Sequence, residues 1–317
     1  HLADGIKRFT AFGPAFVGPL IKSAYKKGVI PITQTRVTRL FKNAQGEVVG
    51  VEAKQIPGNS AAGLQHRYWS TLASYAQIYY APAAKYFRAK LAAIERRHAK
   101  TVRYRARNGV VLATGGFILN KDMTEKYLPK YRRAMRLGTA GDTGSGFALG
   151  VSAGGVAERL GTATAWRFIN PPMDWPKGAL VNLQGKRYVN EALYGATIGT
   201  IMMEENNGEA ILILDKKLFD ASVANLNLQN ARMVTLLQAK TAVRIAKSAD
   251  TLEALAQKCK IAPVQLQKTI ADYNAAAKGQ STDALGKSRD DMATLEQGPF
   301  YAINMSVGKG DITSVIT

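Results

Sequence analysis

The sequence predicts an α/β protein joined to a second, α+β domain. Three observations carry that reading. Val110-Val111-Leu112-Ala113 is a short apolar run broken by Thr114-Gly115-Gly116, as at the end of a buried parallel strand. Gly141-Asp142-Thr143-Gly144-Ser145-Gly146 is a glycine-rich turn feeding the helical-looking stretch from Phe147 to Val151. Downstream, short apolar strands alternate with amphipathic helices. Glycines after a strand let backbone approach a bulky ligand closely. A glycine-rich turn at a helix start offers free N–H groups and a positive dipole end to a phosphate or an anionic ring. Together the two turns suggest a nucleotide-like cofactor held by backbone.

Ala113-Thr114-Gly115-Gly116-Phe117 and the Gly141–Gly146 turn, with Asn120 and Met123 in register, resemble the FAD-dependent fumarate reductase and 3-ketosteroid dehydrogenase superfamily. The resemblance implies FAD as cofactor, with Ala113, Thr114, Gly115, Gly116, Asp142, Thr143, Gly144, Ser145 and Gly146 at its site. It implies a Rossmann-like FAD-binding domain with an inserted α+β catalytic domain. The family's G-x-G-x-x-G turn and its later T-x-G-G segment do not occur in this chain. The expectation is therefore the central part of a longer flavoprotein, its FAD-binding domain incomplete. Residues 1–157 belong to that domain, 158–303 to the catalytic domain, and 304–317 return towards the first.

Bulk composition narrows the chemistry. A chain of 317 residues buries a substantial core and suits two domains. Cys259 is the one cysteine, so no intrachain disulfide and no thiolate metal cage can form. The three histidines, His1, His66 and His98, stand in no chemical-looking context, which argues against histidine catalysis, and no metal is expected. A net charge of +20 suits nucleic acid, an anionic membrane or an anionic substrate. No apolar run approaches the roughly 18–20 residues of a spanning helix.

In chain order, residues 11–27 carry apolar residues at helical spacing and end in Lys26-Lys27-Gly28, a basic last turn with a glycine stop. Gly13, Pro14, Gly18 and Pro19 oppose helix in its first turns. Thr35–Leu40 and Val48–Val51 read as a hairpin about Asn43-Ala44-Gln45-Gly46. The resemblance puts Val37 near the adenine, although its side chain suits a core strand. Residues 57–107 depart from the family pattern. From Arg67 to Arg107 there are ten Lys or Arg and one acid, Glu95, interleaved with Tyr and Trp. That composition suits a membrane interface, single-stranded nucleic acid, or a solvated helical hairpin packing its aromatics on the domain. The enzyme-like remainder weighs against nucleic acid.

Residues 121–140 read as basic and irregular, and 157–177 as a loop. Ala179–Val181 and Arg187–Val189 read as strands about Gln184-Gly185. The block Val181-Asn182 … Gly185 … Arg187-Tyr188 … Asn190-Glu191 matches the superfamily's V-N-x-x-G-x-R-[FY]-x-N-E pattern, which places the succeeding residues against the flavin. Arg187 and Asn190 suit a structural network, and Glu191 suits either a network or the substrate site. Fumarate reductases carry an arginine proton donor a few residues later. Here stands Ala192-Leu193-Tyr194-Gly195, which resembles the 3-ketosteroid dehydrogenases and disfavours a dicarboxylate. Ile211–Leu214 reads as a strand, 230–245 as a helix, Asp250 or Ser248 as a helix cap, and Pro263–Asn274 as a helix with Tyr273 in its core.

The resemblance implies an FAD-dependent dehydrogenase that introduces a C=C bond beside the ketone of a 3-ketosteroid, of Δ1 or Δ4-(5α) type. Hydride passes to flavin N5 and a proton to Tyr194. An unperturbed tyrosine, near pKa 10, is a poor base at neutrality, so a neighbour must lower it. Trp166, Phe168, Trp175, Glu191 and Gly195 are the candidate substrate contacts. The partners are a hydrophobic steroid ketone, an electron acceptor such as a quinone, and an anionic membrane through 57–107. The place is the bacterial cytoplasm, peripheral on the inner membrane face. The alternatives are a flavin-dependent enoate reductase and a non-catalytic lipid-binding protein.

Overall fold

The computed structural model describes residues 2–3, 6–7, 12–79, 81–136, 138–139, 141–167, 169, 172–226, 233–307 and 314–316. The chain forms two compact units, 1–73 with 82–110, and 74–81 with 111–317.

In the first unit, strands β1 (Leu2–Ala3) and β2 (Ile6–Lys7) pair antiparallel. Helix α1 (Phe12–Lys26) runs straight through Pro19. Its apolar face stays open, Phe16 being 73% exposed. The predicted hairpin forms as β3 (Thr35–Lys42) and β4 (Val48–Gln55). Then come α2 (Ala61–Tyr79), α3 (Ala81–His98) and β5 (Lys100–Arg105), which adds antiparallel to β4. The basic, aromatic stretch is thus a helix pair plus a third strand. Trp69 stacks on Phe87 with ring centres 5.7 Å apart, and His66 Nε2 meets Glu95 at 3.2 Å, tying α2 to α3.

The second unit continues with α4 (Lys121–Tyr127), β6 (Met135–Arg136), α5 (Ser145–Ser152), β7 (Ala165–Arg167), β8 (Ala179–Val181), α6 (Gly195–Glu205) and β9 (Ile211–Leu214). It ends with α7 (Lys216–Leu226), α8 (Met233–Arg244), β10 (Lys247–Ala249), α9 (Leu252–Cys259), α10 (Pro263–Ala277), β11 (Phe300–Asn304) and β12 (Ser314–Ile316). An antiparallel sheet of order β10-β11-β9-β8 forms the core. All four residues of β9 and all three of β8 are buried, as their unbroken apolar sequences require. In the same core α10 buries Leu266, Ile270 and Tyr273 at helical spacing. A smaller sheet, β6-β12-β7, joins distant parts of the unit.

Five readings change. Residues 165–167, within the stretch read as a loop, form β7, which pairs with β12. Val110–Ala113 is not a strand: no described strand pairs with it, and Val111 is 90% exposed. An apolar run without a ladder partner has nothing to hold it in a sheet. Residues 121–127 form α4, because the Asn120 side chain accepts the Met123 N–H at the helix start. Arg187 makes a single bridge with Val181 instead of starting a strand. The cap of α9 is Thr251, whose hydroxyl accepts the Ala254 N–H, with Glu253 in the first turn.

Candidate functional site

The two glycine-rich turns meet. The Gly144 N–H donates to Gly116 O at 3.0 Å and the Leu119 N–H to Asp142 O at 2.9 Å. Asn120 caps α4 with its side-chain oxygen and donates from Nδ2 to Thr143 O at 2.9 Å. The fit demands glycine. Gly115 and Gly144 have φ of +73° and +77°, and a Cβ on Gly115 would lie 2.1 Å from Asp142 Oδ1. A Cβ on Gly146 would lie 1.8 Å from Thr114 Oγ1. Asp142 in turn accepts the Thr139 N–H, which fixes its carboxylate in the turn.

One side of this assembly is open. Ala113, Thr114, Gly115, Gly116, Thr143 and Ser145 are exposed, and a Cβ on Gly116 would meet nothing within 4 Å. A cleft of about 290 Å³ runs beside it, lined by Leu112–Gly115, Gly146, Phe147, Gly150 and Val151 among others. The first-turn N–H groups of α5 have no intrahelical acceptor. Open small-residue backbone, an apolar cleft and a helix N-terminus without a side-chain cap fit a flat, anionic-edged ring such as a flavin. Val37 lies apart in sequence on β3, half-buried and paired with Ala53.

A second cleft, of about 200 Å³, is lined by Glu191, Ala192, Leu193, Gly195, Arg167, Ile169, Pro176 and Lys177 among others. It contains two of the expected substrate contacts, Glu191 and Gly195. Tyr194 is the N-cap residue of α6 and is 67% exposed. Its ring meets Trp166 of β7 edge-on, with centres 4.9 Å apart. Gly199 makes this pairing possible: a Cβ there would sit 2.2 Å from Ala165 O and 2.8 Å from Trp166 N, so only glycine lets α6 lie this close to β7. Trp175 is corrected to a core residue: it is 3% exposed and its Nε1 donates to Ser222 Oγ at 3.2 Å. Phe168 lies outside the described residues.

Glu191 is 1% exposed and fully engaged. It accepts from Leu180 N, from Arg187 Nε and Nη2, and from Lys287 Nζ, all between 2.8 and 2.9 Å. Arg187 also pairs with Asp283, and its guanidinium lies 4.6 Å from the Tyr273 ring centre. Burial opposes the Arg187 charge, yet Glu191 and Asp283 outweigh it and raise its pKa. Burial pushes Lys287 below the usual lysine range, against the pull of Glu191. Burial also raises Tyr273, which therefore stays a phenol. Lys287 and Asp283 stand in no recognisable motif, and in the polar, charged stretch around them no sequence signal sets them apart. Among the described residues no group of His, Cys, Asp and Glu is placed to hold a metal. No described helix is long and apolar enough to cross a membrane.

Known proteins resemble this chain in sequence and in fold. The chain is 33% identical over 320 residues to the 3-oxo-5-alpha-steroid 4-dehydrogenase of Comamonas testosteroni, covering 94% of this chain and 56% of that protein. It is 28% identical over 245 residues to the 3-oxosteroid 1-dehydrogenase of Mycolicibacterium smegmatis, covering 64% of this chain and 41% of that protein. The chain thus spans about half the length of these relatives. Its fold is shared with the 3-ketosteroid-delta4-(5alpha)-dehydrogenase of Rhodococcus jostii, solved with 4-androstene-3,17-dione. That match has a TM-score of 0.64 at 24% identity, over 94% of this chain and 50% of that one. The 3-ketosteroid delta1-dehydrogenase of Sterolibacterium denitrificans matches at a TM-score of 0.56 and 20% identity, over 93% of this chain and 51% of that one. The FAD binding domain model matches residues 2–309, and with its two glycine turns and their open backbone the chain belongs to that family.

Proposed function

We propose that the protein is an FAD-dependent dehydrogenase that introduces a C=C bond beside the ketone of a 3-ketosteroid. The observation that carries this reading is Tyr194: an exposed tyrosine at the head of α6, held against Trp166 beside a cleft that contains Gly195. FAD, when bound, supplies the hydride acceptor. Ala113–Gly116 and Asp142–Gly146 would hold it through backbone. Tyr194, acting as its phenolate, would take the proton from the carbon beside the ketone and so end the step as the phenol. The Gly195 N–H, in the first turn of α6 and without an intrahelical acceptor, is a donor for the ketone oxygen as charge develops there. Trp166 presents a flat apolar edge to the ring system.

The same reading divides the chain into FAD-binding parts at 1–157 and 304–317 and a catalytic domain at 158–303. The parallel pairing of β12 with β6 supports that return, while its antiparallel pairing with β7 ties it to the catalytic domain as well. It also assigns α2 and α3 to an anionic membrane surface, where a sterol-derived substrate dissolves and where a quinone acceptor is at hand. Exposed Tyr68 and Tyr86 amid basic side chains support that assignment.

The test is an anaerobic titration of the purified flavoprotein, following the visible flavin bands. Bleaching by a 5α-3-ketosteroid or by 4-cholesten-3-one is the expected outcome, and the steroid that bleaches names the bond. Flavin reduced by dithionite and reoxidised by fumarate, with no response to either steroid, would replace this function by an enoate reductase.

A further inference from the structure

We infer that Lys287 is a positioning residue that fixes the spacing of the two walls of the Glu191–Gly195 cleft, and with it the stance of Tyr194. The inference rests on the steroid reading of that cleft. One wall is Pro176 and Lys177; the other is Glu191 to Leu193 with Gly195, and Tyr194 stands between them in the chain. The Lys287 side chain is completely buried. Its ammonium donates to Pro176 O at 2.6 Å and Gly178 O at 3.0 Å on the first side, and to Glu191 Oε2 at 2.9 Å on the second. A fourth acceptor, the Tyr273 hydroxyl at 3.1 Å, donates its own proton to Lys177 O at 2.6 Å. Three N–H donors shared among four converging acceptors set a distance that no apolar side chain can set.

The loop that carries Lys287 grips the same turn again. Asp283 Oδ2 accepts the Leu285 and Lys287 N–H groups, and Asp283 Oδ1 holds Arg187. Gly286 O accepts from Asn190 Nδ2 at 3.2 Å, and Asn190 Oδ1 accepts the Ala192 N–H at 2.9 Å. The backbone leading into Tyr194 is therefore tied at 190, 191 and 192. Burying an ammonium is unfavourable for stability, and a well-packed apolar residue would commonly serve the fold as well or better. A geometric role for the cleft accounts for a charge at this position.

The test uses the full-length FAD-loaded protein with Lys287→Met, Lys287→Arg and a core control, Leu255→Ala, each assayed below its melting temperature. Near-ultraviolet circular dichroism of the Trp166–Tyr194 pair, assigned by Trp166→Phe, reports the stance of Tyr194 without turnover. Lys287→Met is expected to lower kcat at least tenfold and to remove that band, Lys287→Arg to recover part of both, and Leu255→Ala to change neither despite its lower melting temperature. A Lys287→Met protein with the parent's kcat and band would overturn the inference, and so would equal losses in Leu255→Ala. If the parent turns over no ketosteroid, the proposed function fails, while the band still decides whether Lys287 holds Tyr194.

Discussion

Adjacent glycines at 115 and 116 separate the needs of the fold from those of the cofactor. In Gly115→Ala the backbone sits at φ +73°, where a side chain adds about 1–2 kcal/mol of strain. The new Cβ also falls 2.1 Å from Asp142 Oδ1, so the carboxylate must leave the Thr139 N–H, a charge-assisted bond with a net contribution of about 1.5–3 kcal/mol. The sum is about 2.5–5 kcal/mol. At roughly 2–4 °C per kcal/mol for a unit of this size, the melting point drops by about 5–20 °C. Gly116→Ala has neither penalty: its φ is not positive and its Cβ meets nothing within 4 Å. Its stability should stay within about 0.5 kcal/mol of the parent. Yet its methyl projects from the backbone proposed to lie against the flavin, so FAD affinity should fall at least tenfold, about 1.4 kcal/mol. Thermal melts of the apoprotein and an absorbance titration with FAD give both readouts. A Gly116→Ala protein that binds FAD like the parent refutes the proposed flavin position. A Gly115→Ala apoprotein with the parent's melting point refutes the strain argument.

Further predictions address the second cleft, the buried charges and the surface. Tyr194→Phe should lower kcat by about 10²–10⁴-fold with the melting temperature unchanged, because the hydroxyl is lost from an exposed ring; a fully active variant removes Tyr194 from the chemistry. Gly199→Ala drives a Cβ into the Ala165 backbone and should destabilise by about 1–3 kcal/mol while weakening Trp166–Tyr194 coupling in circular dichroism; parental melting and coupling would contradict it. Burial alone would raise Asp283, but Arg187 and the Lys287 and Leu285 N–H groups hold it below the usual carboxylate range. Its stabilisation is complete above that range and lost as pH falls through the depressed value, so Asp283→Asn should flatten the acid side of a stability–pH curve. An unchanged acid limb would locate that sensitivity elsewhere. Changing Arg67, Lys85 and Lys90 to Glu should weaken flotation with anionic liposomes at least 100-fold, about 1 kcal/mol being lost per removed cation. Unaltered flotation would free α2 and α3 from any membrane role.

The cofactor turns are legible in the sequence because their demands are local: positive φ and close backbone approach leave glycine at fixed spacing. The helices α1 and α10 are legible for a similar reason, since spacing and end signals lie within each segment. Val110–Ala113 misleads because a strand is defined by its partner, and no described strand pairs with these apolar residues. The pairing of Tyr194 with Trp166 depends on Gly199, a mid-helix glycine whose meaning is visible only once Ala165 lies against it. Lys287 and Asp283 are hidden for the same cause: their partners are 96 residues away in sequence. Trp175 looks like a substrate wall because a loop rich in aromatic residues and prolines has no periodicity to say which way its indole turns.

The division of charge between the two units has a consequence for how the protein withstands its medium. The first unit holds nineteen of the chain's Lys and Arg residues against four acids, a surplus of fifteen out of twenty. Like charges so crowded repel one another, and compaction works against that repulsion. At 0.01 M ionic strength the screening length is about 30 Å, larger than a domain of a hundred residues, and every cation feels the rest; at 0.15 M it is about 8 Å. Added salt should therefore firm the first unit and leave the nearly balanced second one alone. Two parts of a single chain would then answer ionic strength differently, and dilution alone would loosen the cationic unit first.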